Sequence, residues 1–313
     1  MADTLYQLRN GIATNKTFPS LYSTTFDKIV LNKETEVVEA KEFFAERSTN
    51  LGTYKEGEVH TALQTPIIGS DTDPVPMLVP TEGYNKTATL VTYYAGISIT
   101  EDAVSMQKTN LVVSALTGLP DSAIALQTLA CVDMFNRGAT VHTSGDGDYI
   151  FDTTHAYPDA RQGTYSNMAG SGSAFTTDSF FAAWLSLKKR KNSAGRANPQ
   201  TPTAVYYPVD QQDDVSQVHN SSKYPSLSTN AEMDELFSAW RMVPGVQLSS
   251  TTAWFVIGNN AEKDKGLLLV WRIRPGYKNM TFTNPYILMG KSLKMSFDVK
   301  CLHSRNMYMN EGA

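Results

Sequence analysis

The chain has 313 residues, 41% hydrophobic and 19% charged, with 27 basic against 31 acidic side chains and a net charge of −4. That length allows one large domain or two ordinary ones. The net charge excludes a dedicated nucleic-acid binder, which carries a basic patch and a high isoelectric point. A charge content below the roughly 25% usual in soluble domains fits both a chain that buries surface against other subunits and a weakly charged monomer.

Met1-Ala2-Asp3-Thr4-Leu5-Tyr6 lacks the basic start and apolar core of a secretory signal. The longest strongly apolar run, Leu267 to Trp271, is too short to span a bilayer, so the expectation is a chain made and kept in a cytoplasm, away from membranes. Residues 1 to 54 show weak periodicity. Ala2 to Gly11 reads as a short helix. Within Lys33 to Arg47, Val37, Val38, Lys41, Phe44 and Ala45 fall at roughly helical spacing. Residues 55 to 100 read as two long strands joined by a tip, Pro66 to Pro76, that is punctuated by Pro66, Pro74 and Pro76. The return strand is Ala88 to Ile99, rich in β-branched and aromatic residues. An isolated two-stranded ribbon is marginal in water, so this hairpin should lie on another surface.

Glu101 to Gly118 looks helical, and Pro120 restarts a helix from Ser122 to Arg137 whose apolar face is broad (Ala123, Ile124, Leu126, Leu129, Ala130, Met134, Phe135). From about 140 to 262, helices and strands alternate, as in a mixed α/β domain. The clearest helix spans Thr177 to Lys191, capped by Thr177 or Asp178 and ending in Lys188-Lys189-Arg190-Lys191. A strand at Ala204 to Pro208 and a helix around Val209 to His219 follow. Thr229-x-x-Glu232 then has capping-box spacing, with Met233, Leu236, Phe237 and Trp240 on one face. Strands are predicted at Thr252–Ile257, at Leu267–Arg274 with Pro275-Gly276 as its stop, and at Lys294–Leu302. In the last of these Met295, Phe297, Val299 and Cys301 share a face.

Cys131 and Cys301 lie in apolar surroundings without a C-x-x-C pattern, and they read as reduced core residues. The one local constellation of potential metal ligands is Asp146, Asp148, Asp152 and His155. Its spacing is not that of an EF-hand loop, and aspartate and glycine also belong in turns for conformational reasons. His60, His142, His155, His219 and His303 are scattered. No G-x-S-x-G elbow occurs, and Gly170-Ser171-Gly172-Ser173 lacks the lysine of a phosphate loop. The Lys188–Lys191 run suits DNA contact from inside a shell, or simply the negative end of a helix.

The order from Ile150 to Pro208 carries a resemblance. It comprises Phe151-x-x-x-His155, a Gly/Ser/Asn-rich loop at Asn167 to Ser173, the 177–191 helix, Pro199-Gln200-Thr201-Pro202-Thr203 and the Ala204–Pro208 strand. It resembles the major head subunits of tailed bacteriophages, especially the Mu-type branch of HK97-like capsid proteins. The resemblance implies an α+β fold divided into an N-arm (1–54), an extended hairpin called the E-loop with the start of the P-domain (55–100), a P-domain spine helix (101–140), an A-domain (141–262) and returning P-domain strands (263–313). It implies a non-enzymatic major capsid protein, without cofactor, that self-assembles through pentamers and hexamers into an icosahedral shell around double-stranded DNA. Such a protein resides in the virion after assembly in the host cytoplasm. Expected partners are a separate scaffolding protein, a portal and, in some relatives, a decoration protein. Lys55, Glu58, Pro66, Pro74, Pro76 and Lys86 are the expected inter-subunit contacts. Two rivals stand beside it: an encapsulin-like compartment with the same fold around an enzyme cargo, and a metal-dependent hydrolase using Asp146, Asp148, Asp152 and His155.

Overall fold

The continuous apolar run Leu267 to Trp271 calls for burial on both faces, and the tertiary structure provides it. A computed structural model describes residues 38–61, 80–100, 102, 109–158, 163–193, 195–220, 240–258, 265–281 and 286–313. In chain order its strands are β1 (Phe44–Ser48), β2 (Thr53–Thr61), β3 (Pro80–Thr89), β4 (Val91–Thr100), β5 (His155–Ala156), β6 (Thr164–Tyr165), β7 (Pro202–Pro208), β8 (Arg241–Gly245), β9 (Trp254–Gly258), β10 (Leu267–Asn279), β11 (Ile287–Cys301) and β12 (Met307–Asn310). The helices are α1 (Thr109–Asn136), α2 (Thr177–Lys188) and α3 (Gln212–His219).

One sheet has the order β1-β10-β11-β4, and a second has the order β12-β9-β7-β8. The β1–β10 and β7–β8 pairs are parallel and the rest antiparallel. On β10, Leu267, Leu269 and Trp271 join the main core, while Leu268 and Val270 face a smaller cluster with Ala45, Ala88, Leu90 and Leu302. Strands β7 and β9 are likewise two-faced. Ala204, Tyr206, Phe255 and Ile257 point to the main core. Val205, Tyr207, Trp254 and Val256 point to a layer built by Phe180, Ala183 and Leu187 of α2 and Val215 and Val218 of α3. Phe135 of α1 ties the two sheets together. Its ring lies 6.4 Å from Phe44, 5.1 Å from Tyr206 and 5.2 Å from Phe255, in the edge-to-face geometry that the ring quadrupole favours.

Several sequence expectations hold. β7, β9 and the 209–219 segment form where predicted, the last as a 3-10 turn leading into α3, while β11 contains the predicted strand but begins earlier, at Ile287. Met295, Phe297, Val299 and Cys301 are all buried, and both cysteines are free and buried.

Others are corrected. The helical spacing of Lys33 to Arg47 does not produce a helix from Val38 onward. Ala40 turns at φ 60°, a short 3-10 turn spans Lys41–Phe43, and Phe44 begins β1. Burying Phe43 and Phe44 together beside Phe135 outweighs the helical pattern. The hairpin's second strand is β3 rather than Ala88–Ile99. The chain bends at buried Leu90, whose N–H donates to the Gly52 carbonyl at 3.0 Å, and β4 joins β11. No glycine or proline marks that bend.

Helix α1 runs unbroken through Gly118 and Pro120. The roughly 3 kcal/mol cost of an interior proline is met by the buried neighbours Leu119 and Ala123. Helix α2 is capped one residue earlier than predicted. Thr176 and Ser179 form a reciprocal capping box, and the helix ends at Lys188. Strand β10 continues through Pro275-Gly276. β1 pairs only as far as Trp271, so Pro275 sits where one edge of β10 has no ladder partner among the described residues and the register to β11 shifts. The Ala2–Gly11 helix, the Pro66–Pro76 tip and the Thr229 capping box lie outside the described residues. Trp240, from the last of these, is buried under α2.

Candidate functional site

The β2–β3 ribbon belongs to neither large sheet. It pairs from Thr53↔Thr89 to Thr61↔Pro80. Among its described side chains only Ala88 is buried, so its position depends on polar ties at the base. Arg47 Nε donates to Glu56 at 3.2 and 3.3 Å, and the Tyr54 hydroxyl donates to Glu56 at 2.8 Å. The Thr89 amide donates to Asp298 Oδ2 at 2.9 Å. Lys86 Nζ donates to Thr143 Oγ1 and to the Ser144 carbonyl, both at 2.8 Å. Burial lowers the Lys86 pKa. Glu58 pairs with Arg305, and His303 Nε2 lies 3.8 Å from the same carboxylate. Of the expected inter-subunit residues, Lys55 is exposed, whereas Glu58 and Lys86 turn inward onto their own subunit. Pro66, Pro74 and Pro76 lie outside the described residues.

Beneath the ribbon sits a buried polar lock. Gly145 donates its amide to the Leu302 carbonyl at 3.0 Å, and a side chain at this position would collide with that carbonyl. Asp146 Oδ2 lies 2.7 Å from His155 Nδ1. His155 Nε2 faces Asn167 Oδ1 at 3.1 Å and Ser304 Oγ at 3.3 Å. Asn167 Nδ2 donates to the Ile150 carbonyl at 2.6 Å, and its Oδ1 accepts from the Asp152 amide at 2.8 Å. Tyr165 stacks on the imidazole with ring centroids 5.0 Å apart. His155 and Asn167 are both 0% exposed. Burial opposes ionisation of Asp146. Its hydrogen bond and charge interaction with His155, with help from Ser144 and the Asp148 amide, outweigh that and hold its pKa below 3.8.

Ligand atoms of Asp146, Asp148 and His155 lie within 4.8 Å of one another. Asp152 stands apart: its carboxylate accepts from the Thr154 amide at 3.0 Å, a local turn bond. A cation placed among the three would have to displace the Asp146–His155 bond. Both imidazole nitrogens already have protein partners, so loop closure accounts for these residues. The basic run at 188–191 is similarly turned inward. Lys188 Nζ donates to Thr201 Oγ1 at 2.6 Å, and Arg190 is buried with its guanidinium 4.7 Å from the Tyr165 ring centre. Lys189 is its one fully exposed member.

Sequence reasoning missed Asn167, Ser304 and Arg305. Their spacing to His155 and Glu58 carries no motif, and the contacts of Ser304 and Arg305 arise only when the end of the chain folds back. Among the described residues, no helix is long and apolar enough to cross a membrane.

Two mixed sheets bridged by a long helix, with a separate antiparallel ribbon, make an α+β fold of the HK97-like type. No protein-family model and no curated protein matches the sequence. Among solved structures, the chain is similar to the capsid of cyanophage P-SCSP1u, with TM-score 0.57, 9% identity and 89% of each chain covered. It is also similar to the capsid of Ralstonia phage GP4, with TM-score 0.55, 9% identity and coverage of 83% of this chain and 82% of that one. A structure from Mycobacterium phage Adephagia matches with TM-score 0.50, 14% identity and coverage of 87% and 88%.

Proposed function

We propose that this chain is the major capsid subunit of a tailed phage, a non-enzymatic protein that closes into an icosahedral shell around double-stranded DNA. The observation that carries the reading is the β2–β3 ribbon on this fold. It buries one described side chain in its own subunit, and a ribbon so poorly covered gains its remaining stability from a second surface. In this reading residues 141–262 form the A-domain, whose contacts close rings of five and six subunits as heterologous interfaces. Residues 1–54 form the arm, and the ribbon with its Pro66–Pro76 tip crosses a neighbour, with exposed Lys55 among the contacts. A chain of net charge −4 suits a wall that encloses DNA without trapping it through phosphate contacts. A scaffolding protein, a portal and a decoration protein are the partners this role calls for. The Mu-type affiliation rests on the Ile150–Pro208 segment alone.

Negative-stain electron microscopy beside light-scattering mass tests the reading. Shells, tubes or ring-shaped capsomers are expected, with the scaffold coexpressed where needed. A persistent monomer near 34.5 kDa under coexpression would overturn it. Shells that copurify with protein cargo and no packaged DNA would move it to a cellular compartment. Deleting Pro66 to Pro76 is expected to leave a folded subunit that makes no stable shells.

A further inference from the structure

We infer that the angle at which the ribbon leaves its subunit is set by a closed ring of polar contacts, and that Asp146 and His155 are positioning residues within it. The ring starts on one strand of the ribbon and ends on the other. Lys86 of β3 holds Thr143 and the Ser144 carbonyl. Ser144 and Asp146 share one tight turn, closed by the Ser144 amide on the Asp148 carbonyl at 2.8 Å and the Gly147 amide on the Ser144 carbonyl at 3.2 Å. Asp146 holds His155, His155 faces Ser304, and the next residue, Arg305, pairs with Glu58 of β2. Apart from Lys86 and Thr143, these links are buried or nearly so. Ser144 is 2%, His155 0%, Ser304 0% and Arg305 8% exposed.

The mechanical reason is simple. A two-stranded ribbon held at one point can both swing and roll about its base. Ties on opposite strands remove both motions. Glu56 lies opposite Lys86 in the register, so Glu58 and Lys86 are offset by about two residues, roughly 7 Å along the ribbon at the usual strand rise. Among the described residues, the apolar cluster at the base takes only Tyr54, Ala88 and Leu90 from this part of the chain, too little to fix a direction for strands that extend to Thr61 and Pro80. The ring also explains why a buried imidazole remote from the ribbon is fully bonded. It connects the loop that Lys86 grips to the segment that carries Arg305. The consequence for shell curvature rests on the capsid reading; the geometry within one subunit does not.

The test is a pulsed electron-paramagnetic-resonance distance between spin labels at Lys55→Cys on the ribbon and Lys189→Cys beyond α2, both exposed positions. Cys131 and Cys301 are buried and stay unlabelled. Doubly labelled full-length chain is diluted into unlabelled, unassembled chain, so only distances within one subunit are read. A single narrow distribution is expected for the parent. Glu58→Gln, Lys86→Gln and His155→Gln should each shift it or at least double its width, with near-ultraviolet circular dichroism unchanged. Glu82→Gln, an exposed ribbon residue outside the ring, should leave it as in the parent. Should His155→Gln fail to fold, Lys86→Gln decides, because its side chain is only half-buried. A parent-like distribution in Glu58→Gln and Lys86→Gln would overturn the inference, as would equal broadening by Glu82→Gln. Because the readout is internal to one subunit, a failure here leaves the shell test by microscopy untouched.

Discussion

The β12-β9-β7-β8 sheet is built from strands of 4 to 7 residues and the β2–β3 ribbon from strands of 9 and 10, and opposite forces hold them. Every residue of β9 is buried, and β7 presents apolar side chains to two cores at once. That sheet is stabilised by area removed from water, at about 25 cal/mol per Å². The ribbon buries Ala88 and relies on charged and hydroxyl groups at its base. For a nearly buried ion pair such as Glu58–Arg305 the loss of hydration offsets much of the charge attraction, so direction, more than stability, is what such ties supply. The body of the chain is held by apolar burial, and in the proposed function the ribbon is the element that assembly completes.

Four perturbations sharpen or break that contrast. The largest effect is expected from Phe135→Ala, which removes the ring joining both sheets. It should cost about 3–5 kcal/mol in denaturant unfolding, and a loss of less than about 1 kcal/mol would show that the sheets do not share a core through it. Asn167→Ala strips partners from His155 and from buried backbone groups. About 1–3 kcal/mol is expected for leaving such groups unpaired, read by the same titration.

Acidification comes next. Burial, reinforced by Arg305, pushes the His303 pKa well below its ordinary 6.5. The unfolded chain therefore binds the proton first. The stabilisation is fully present above 6.5 and is lost progressively as pH falls toward the folded value. Thermal melts from pH 7.5 down to 5 should show this decline, and a His303→Asn variant should flatten it. Asp146, also depressed, adds its loss at lower pH still. The smallest effect on the subunit is expected from Lys55→Ala. Its stability should stay within about 0.5 kcal/mol of the parent while particle yield falls. A stability loss without an assembly defect would place Lys55 in the body's own architecture.

Much of the body was legible as one-dimensional pattern. The runs at 204–208, 252–257 and 267–274 announced strands, and the alternation at 294–302 announced a half-buried one; that each of the first three packs apolar side chains on both faces was visible only in the structure. The misreadings cluster where a local signal was strong and the tertiary context stronger. Pro120 stays helical because its neighbours are buried. Pro275 stays in a strand because one edge is unpaired there. Leu90 bends the chain without any turn residue, so the ribbon and β4 read as one strand. At 146–155 the spacing alone did not show that Asp146 bonds His155 Nδ1 while Asn167 and Ser304 face its Nε2.

The sequence by itself therefore determined the periodicities: that the segments at 122–136 and 177–188 are helical, that the segment at 294–302 has one apolar face, that a hairpin begins near residue 55, and that both cysteines are buried thiols. Only the tertiary structure decided the pairings between polar groups far apart in the chain, Glu58 with Arg305, His155 with Ser304 and Lys86 with Ser144. The physical reason is range. Apolar patterning repeats within a few residues and is written locally, whereas a buried hydrogen bond between distant loops exists only after the intervening chain has closed around it.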